Sequence, residues 1–496
     1  MRRVLVANRG EIAVRVIRAC RLLGLESVAV YAEADREAPH VALADRAVPL
    51  AGSTAVAPYL TIATLLEAAR VSGADAVHPG YGFLAERADF AAAVEAAGLV
   101  FVGPTAETMA ALGDKVAARR LAARVGVPVL PGVELAEGAE PAAAAGLDYP
   151  LVVKASAGGG GRGLRVVERP ADLVPALEGA RREALAAFGD GTVYLERWLP
   201  RARHVEVQVL GDGRGGLVHL GERECSIQRR HQKLLEESPS PAVTPALRRQ
   251  LTEAALALAR AVGYRSAGTV EFLLDEAGRF YFLEVNTRLQ VEHPVTEWVT
   301  GLDLVALQLR LAAGEALPLA QRDVTLAGHA LECRLVAEDP ASGFRPATGR
   351  VHVLEWPTGP GVRVDAGIAP GSVVGSDYDS LLAKLSTWGE TREAARRRML
   401  EALRATTLLG VATVRDLHLA LLEDPAFVAG DTHIRFLEAR YAAWRPPAPA
   451  GWPALLAAAA LARAAEPRAA AAGAGPSGAG PSPWQTLGPF RLGEGR

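Results

Sequence analysis

Apolar and polar residues alternate in two rhythms through the N-terminal part of this chain. Short apolar runs at Val4 to Ala7, Ser27 to Tyr31, Ala76 to His78 and Val100 to Val102 read as strands. Glu11 to Leu23, Ala63 to Val71 and Phe90 to Ala97 carry the spacing of helices. Strand and helix taking turns predict a parallel α/β sheet over residues 1–113. A helix begins at Lys115 and ends before Val127-Pro128, and residues 131–149 form a Pro/Gly/Ala-rich connection. Two strands then flank a glycine loop, Gly158 to Gly161 plus Gly163.

Further along, Thr192 to Leu199 and the alternating Arg203 to Leu210 read as strands, and Leu247 to Val262 as an amphipathic helix. Thr269 to Leu274, the loop Asp275 to Gly278 and the run from Tyr281 predict a hairpin. If Tyr281 to His293 is extended, Glu284, Asn286, Arg288, Gln290 and Glu292 share one face. Val305 to Ala312 is helical and His329 to Leu335 a strand. Val351 to Leu354, Val362 to Ala366 and Ser372 to Val374 add β character, and Asp379 to Thr387 is helical or mixed. This predicts a smaller α+β unit over 329–441, followed by a Pro/Ala/Gly-rich linker and tail over 442–496.

Composition narrows the classes. The chain has 496 residues, half of them apolar, and a net charge of −2, which gives no bulk attraction to nucleic acid or a membrane surface. No window of about twenty apolar residues predicts a membrane span. Three scattered cysteines, Cys20, Cys225 and Cys333, suit a reduced cytoplasmic protein. Of 54 basic residues only Lys115, Lys154, Lys233 and Lys384 are lysine, and Asn8 and Asn286 are the only asparagines. A lysine kept in so arginine-rich a chain points to work needing a compact charge.

Several stretches carry candidate chemistry beside a purely structural reading. Glu271 folds back opposite Glu284 and Asn286, and two carboxylates with an amide oxygen suit a hard divalent cation; the alternative is a solvent-facing strand surface. The glycine loop lets backbone N–H groups approach phosphate, or is a plain hairpin loop. It is not followed by the GKS or GKT of a P-loop. His204 shares a face with Glu206 and Gln208 and reads as structural on its own. Residues 221–233 are rich in donors, as a solvated loop or an anion site.

Taken in order, ANRGEIAVRVIRAC, HPGYGFLAE, GDK, VVKASAGGGGRG, RHVEVQV, ERECSIQRRHQK, EFLLD, FLEVNTRLQVEHPVTE and HALECRL resemble the biotin carboxylase family over about residues 1–441. The resemblance implies an N-terminal α/β domain (1–113), an ATP-grasp domain (114–320) with a mobile lid near 131–202, and a C-terminal domain (329–441). Nucleotide contacts then fall on Lys115, Lys154, Gly160, Gly161, Glu196, Arg197, Trp198, Leu199, His204, Gln228 and His231. Glu271, Glu284 and Asn286 match ligands of two magnesium or manganese ions. Lys233, Arg288, Gln290, Val291 and Glu292 match a bicarbonate pocket, and Arg334 with Tyr81 match biotin contacts. Lys384 falls outside these positions and is left structural.

The implied reaction is ATP-dependent carboxylation of biotin through carboxyphosphate, the first half-reaction of acetyl-CoA or another acyl-CoA carboxylase. Glu292 is the expected general base, and Arg334 stabilises the biotin enolate. The methionines Met1, Met109 and Met399 have no lysine beside them, so biotin is expected in trans on a carrier protein. A separate carboxyltransferase and a homodimer are the other expected partners. The ending PSPWQTLGPFRLGEGR suggests a split or truncated longer subunit. Another ATP-grasp ligase, or an inactive assembly subunit, are the competing readings.

Overall fold

The first apolar run folds as β1 (Arg3–Val6), with Val4, Leu5 and Val6 fully buried, as a central parallel strand covered on both faces requires. The structure is a computed structural model and describes residues 1–135, 146–155, 164–188, 191–447 and 458. With β2 (Glu26–Tyr31), β3 (Arg46–Pro49), β4 (Ala76–His78) and β5 (Val100–Phe101), β1 forms a parallel sheet in the order β3-β2-β1-β4-β5. Val6 pairs with His78, so the loops after β1 and β4 emerge side by side. There Asn8 Nδ2 donates to Pro79 O at 2.8 Å and Tyr81 O at 2.7 Å, tying the two loops together.

A four-stranded antiparallel sheet follows: β6 (Gly132–Leu135), β7 (Leu151–Ala155), β8 (Arg165–Val167) and β9 (Val193–Arg197), in the order β6-β9-β7-β8. The Leu173–Phe188 helix packs on it through Leu173, Leu177 and Ala180. The glycine loop between β7 and β8, with Gly160 and Gly161, lies outside the described residues.

The largest sheet has eight antiparallel strands. It runs β14 (Phe280–Asn286), β13 (Arg265–Leu274), β10 (Arg203–Asp212), β11 (Leu217–Arg229), β12 (Gln232–Ser238) and β15 (His329–Val336), then Leu381–Gly389 and Val362–Ala366. The pairing Leu235 with Cys333 and Glu236 with Glu332 carries it without a break from the 114–320 region into the 329–441 region. Along β10 the alternation is clean. Val205, Val207 and Val209 join Val270, Phe272 and the Pro245–Ala261 helix in an apolar core. His204, Glu206 and Gln208 point the other way and are equally buried. That second face is a buried polar layer, not a solvent-facing one.

Two expectations change. Asp379 to Thr387 is not helical: Leu381–Gly389 is an interior strand, buried on both faces, so its sequence shows no period-2 alternation. Tyr281 to His293 is not one extended strand either. β14 ends at Asn286, and Glu292 is the residue immediately before the His293–Thr300 helix. Met1–Pro446 is one compact unit and Pro447–Arg496 another; most of the expected linker and tail lies outside the described residues. Among the described residues no helix is long and apolar enough to cross a membrane.

Candidate active site

The buried polar face of the eight-stranded sheet opens on a cavity of about 460 Å³. Lys115, at the start of the Lys115–Arg124 helix, reaches it from one side, and Lys154 from β7 on another. The hairpin β11–β12 turns through Arg230 and His231, both at positive φ, and brings Gln228, His231 and Lys233 to the wall. β13 and β14 contribute Glu271, Glu284 and Asn286. The turn after β14 contributes Arg288, Gln290 and Val291, β15 contributes Arg334, and the loop after β4 contributes Tyr81.

Glu271 and Glu284 are direct cross-strand partners, so both carboxylates stand on the cavity face. Asn286 pairs with Thr269 instead, yet its Nδ2 donates to Glu271 Oε1 at 2.8 Å. Gln290 Nε2 donates to the same oxygen at 3.1 Å. Arg288 spans the turn, donating to Asn286 Oδ1 at 3.0 Å and Gln290 Oε1 at 3.1 Å, with Glu86 3.1 Å from its Nε. The strand stops at Asn286, and it is these side-chain bonds that keep Arg288 and Gln290 at the cavity.

Lys233 is the electrostatic centre. Its Nζ donates to Glu206 Oε2 at 2.5 Å, Glu271 Oε1 at 2.9 Å and Glu292 Oε1 at 2.5 Å. Arg334 holds the other oxygen of Glu292, Nη2 to Oε2 at 2.8 Å, and donates from Nε to Glu236 Oε1 at 2.6 Å. Glu292 is fully buried beneath the cavity floor and meets the open space through these two cations. Burial by itself would raise its proton affinity, but Lys233, Arg334 and Arg223 outweigh burial and hold its carboxyl well below the usual range. Burial also opposes the shift at Glu271, where Lys233 and His204 likewise win and hold the carboxyl low. The His204 imidazole lies 2.9 Å from Glu271, and although burial opposes it, that carboxylate raises the histidine's pKa.

The oxygen donors Glu271, Glu284 and Asn286 fit a hard divalent cation: Glu284 is a third exposed toward the cavity, with Lys115 Nζ 3.6 Å away. Two tighter acidic groups, His204/Glu206/Glu271 and Glu206/Cys225/Glu292, already share the Lys233 ammonium.

The remaining expected nucleotide contacts lie at the cavity's margin. Glu196 is buried and paired with Lys154 and Arg119. The N–H groups of Arg197 and Trp198 bond Pro131 O at 3.0 Å and Pro150 O at 2.8 Å. Leu199 packs with Leu130 and Ala202, and Trp198 lines a neighbouring cavity of about 170 Å³ with His231.

Residue patterns alone give no role to Glu236, hold Arg223 only as one donor of the 221–233 stretch, and leave Lys384 structural. Arg223 is fully buried, donating to Glu206 Oε1 at 2.5 Å, Gln208 Oε1 at 2.7 Å and Thr296 Oγ1 at 2.9 Å. Glu236 is pushed up to about 7, by burial first and by Glu292 as a like charge. Lys384 carries a signal in the sequence as one of only four lysines.

Three family models match the chain: biotin carboxylase N-terminal domain over residues 1–109, the ATP binding domain of carbamoyl-phosphate synthase L chain over 114–320, and biotin carboxylase C-terminal domain over 332–439. The biotin carboxylase of Pseudomonas aeruginosa is 49% identical over 442 residues, covering 88% of this chain and 98% of the relative. The biotin carboxylase domain dimer of Hydrogenobacter thermophilus 2-oxoglutarate carboxylase, solved with MgADP, ADP and bicarbonate, superposes with a TM-score of 0.86 at 45% identity. It covers 88% of this chain and 97% of that one. The Campylobacter jejuni biotin carboxylase–β-γ-ATP complex gives 0.85 at 42% identity, covering 88% and 99%.

Proposed function

The chain belongs to the biotin carboxylase family, and we propose from that premise that Glu292, Lys233, Arg288 and Arg334 carry the bicarbonate and biotin chemistry of its cavity. The activity is ATP-dependent carboxylation of biotin with bicarbonate. The observation that supports the residue assignment most is Glu292, an ionised carboxylate held by one cation at each oxygen beneath a cavity with two further carboxylates.

Glu292 accepts the bicarbonate proton as the γ-phosphoryl group of ATP arrives. Lys233 and Arg288 hold the bicarbonate anion, and the same cations lower its proton affinity, which helps a base whose own affinity is low. Lys115, Lys154, His204, Gln228 and His231 surround the nucleotide, with Glu196, Arg197, Trp198 and Leu199 at its margin. Glu271, Glu284 and Asn286 would hold magnesium or manganese, which supplies charge neutralisation at the phosphate oxygens. Arg334 and Tyr81 receive biotin, where the guanidinium stabilises the enolate. Biotin comes on a carrier protein, with carboxyltransferase as a further partner and a homodimer as the assembled form. The three cysteines are buried free thiols, which supports a cytoplasmic setting.

Magnesium-dependent ADP release, measured with bicarbonate and with or without free biotin, tests the reading. Biotin stimulation is expected, with Glu292→Ala and Arg334→Ala at least about tenfold slower, or roughly 1.4 kcal/mol in barrier. Full stimulation in both variants would overturn the assignment.

A further inference from the structure

Lys384 is 1% exposed and lies behind the catalytic floor, outside the cavity lining. Its Nζ donates to the main-chain oxygen of Val291 at 2.8 Å. Val291 is the residue immediately before Glu292. The ammonium also lies 3.3 Å from Glu11 Oε2, on the Gly10–Leu22 helix, and 5.8 Å from the centre of the Tyr81 ring. On its own sheet Lys384 stands between Arg334 and Asp365, its direct partners on the two neighbouring strands. His293 and Glu332 also feel its charge.

We propose that Lys384 is a positioning residue for bicarbonate activation: it fixes the Val291–Glu292 peptide from behind, so that Glu292 meets the bicarbonate at a set place. The inference rests on the function proposed above and adds a residue to it. The C=O and N–H of one trans peptide point in opposite directions. A grip on Val291 O therefore turns the Glu292 N–H away from Lys384. Arg334, the cross-strand partner of Lys384, holds Glu292 by its carboxylate. Two adjacent cations on one sheet face thus fix Glu292 at both ends, main chain and side chain. A compact ammonium on a straight stem reaches Val291 O and Glu11 together while staying 1% exposed. That accounts for a lysine in a chain where 50 of 54 basic residues are arginine, the other four being lysine. The contact to Glu11 further ties the parallel-sheet region to the catalytic turn.

The experiment compares wild type, Lys384→Met, Glu292→Gln and the double variant in bicarbonate-dependent ADP release, beside MgADP affinity. Lys384→Met is expected to lower kcat/KM for bicarbonate about tenfold, chiefly through kcat, while MgADP affinity changes by less than about twofold. In the Glu292→Gln background the same substitution is expected to add less than about twofold, because its effect passes through Glu292. Equal losses for bicarbonate and nucleotide, or additive losses in the double variant, overturn the proposal. If Lys384→Met does not fold, Glu11→Gln removes the counter-ion that holds the ammonium and leaves its shape. At about pH 8, where Glu11 is ionised, it is expected to lower kcat/KM for bicarbonate about threefold with MgADP affinity kept. An unchanged kcat/KM for bicarbonate in that variant overturns the proposal. A wild type without bicarbonate-dependent ADP release overturns this inference and the proposed function together, whereas an active wild type with an unselective Lys384→Met overturns this inference alone.

Discussion

Lys233 Nζ lies 2.5 Å from Glu292 Oε1, and the same ammonium bridges Glu206 and Glu271. One lysine therefore joins three carboxylates on three different segments, each of which has a second cationic neighbour in Arg223, His204 or Arg334. Lys233→Met would leave them buried together with one cation fewer. Breaking such a network by removing one partner costs roughly 3–5 kcal/mol. A lower unfolding midpoint in urea, together with loss of ADP release, is the expected result; an unshifted midpoint would show that Lys233 holds nothing in place.

Glu292→Gln keeps the shape and removes the base. Bicarbonate-dependent ADP release is expected to fall about 10²-fold or more. Since its cations hold the carboxyl well below the usual range, Glu292 stays ionised as pH falls from neutrality through the ordinary carboxylate pKa. No loss of kcat/KM between about pH 7 and pH 5 should therefore belong to it. A limb near pH 6 that disappears in Glu292→Gln would contradict this.

Glu284 is the open member of the oxygen set, a third exposed and only loosely paired with Lys115. Glu284→Gln should raise the magnesium concentration for half-maximal ADP release by about tenfold, since an amide oxygen replaces a charged ligand. Chelation with EDTA should stop the wild-type reaction, and added magnesium or manganese should restore it.

Burial raises the Glu11 carboxyl to about 7, against the pull of Lys384. A folded pKa above the unfolded one means stability that is complete below about pH 4.5 and is lost as pH rises through about 7. Glu11→Gln mimics the neutral form at every pH. The stability of the variant relative to wild type should therefore climb by about 2.5 kcal/mol between pH 5 and pH 8. Melting curves at both pH values check it, and a pH-independent difference would refute it.

The hairpin of β13 and β14 was legible because its apolar face alternates and its loop carries Asp275 and Gly278. Glu271 opposite Glu284 follows directly from that register. Arg288, Gln290 and Glu292 were grouped with them on the assumption of one continuous strand, and the grouping holds for another reason. The strand ends at Asn286, and side-chain bonds to Asn286 and Glu271, with Lys233 and Arg334 on Glu292, bring the residues together. Leu381–Gly389 was misread because a strand buried on both faces has no polar rhythm to betray it.

By itself the sequence determined the parallel sheet of the first region, the family, and which residue types carry charge where an arginine would ordinarily serve. These depend on local periodicity and on motifs read in order, and both survive without coordinates. Tertiary structure alone decided that β12 pairs with β15, so that Arg334 meets Glu292 and Glu236 across a continuous sheet. It also decided that Lys384, 92 positions after Glu292, grips the peptide that carries it. Such contacts join residues far apart in the chain, and no spacing rule encodes them. Their energy comes from excluding water around charges that must then find partners, and only the packed fold says which partners are within reach.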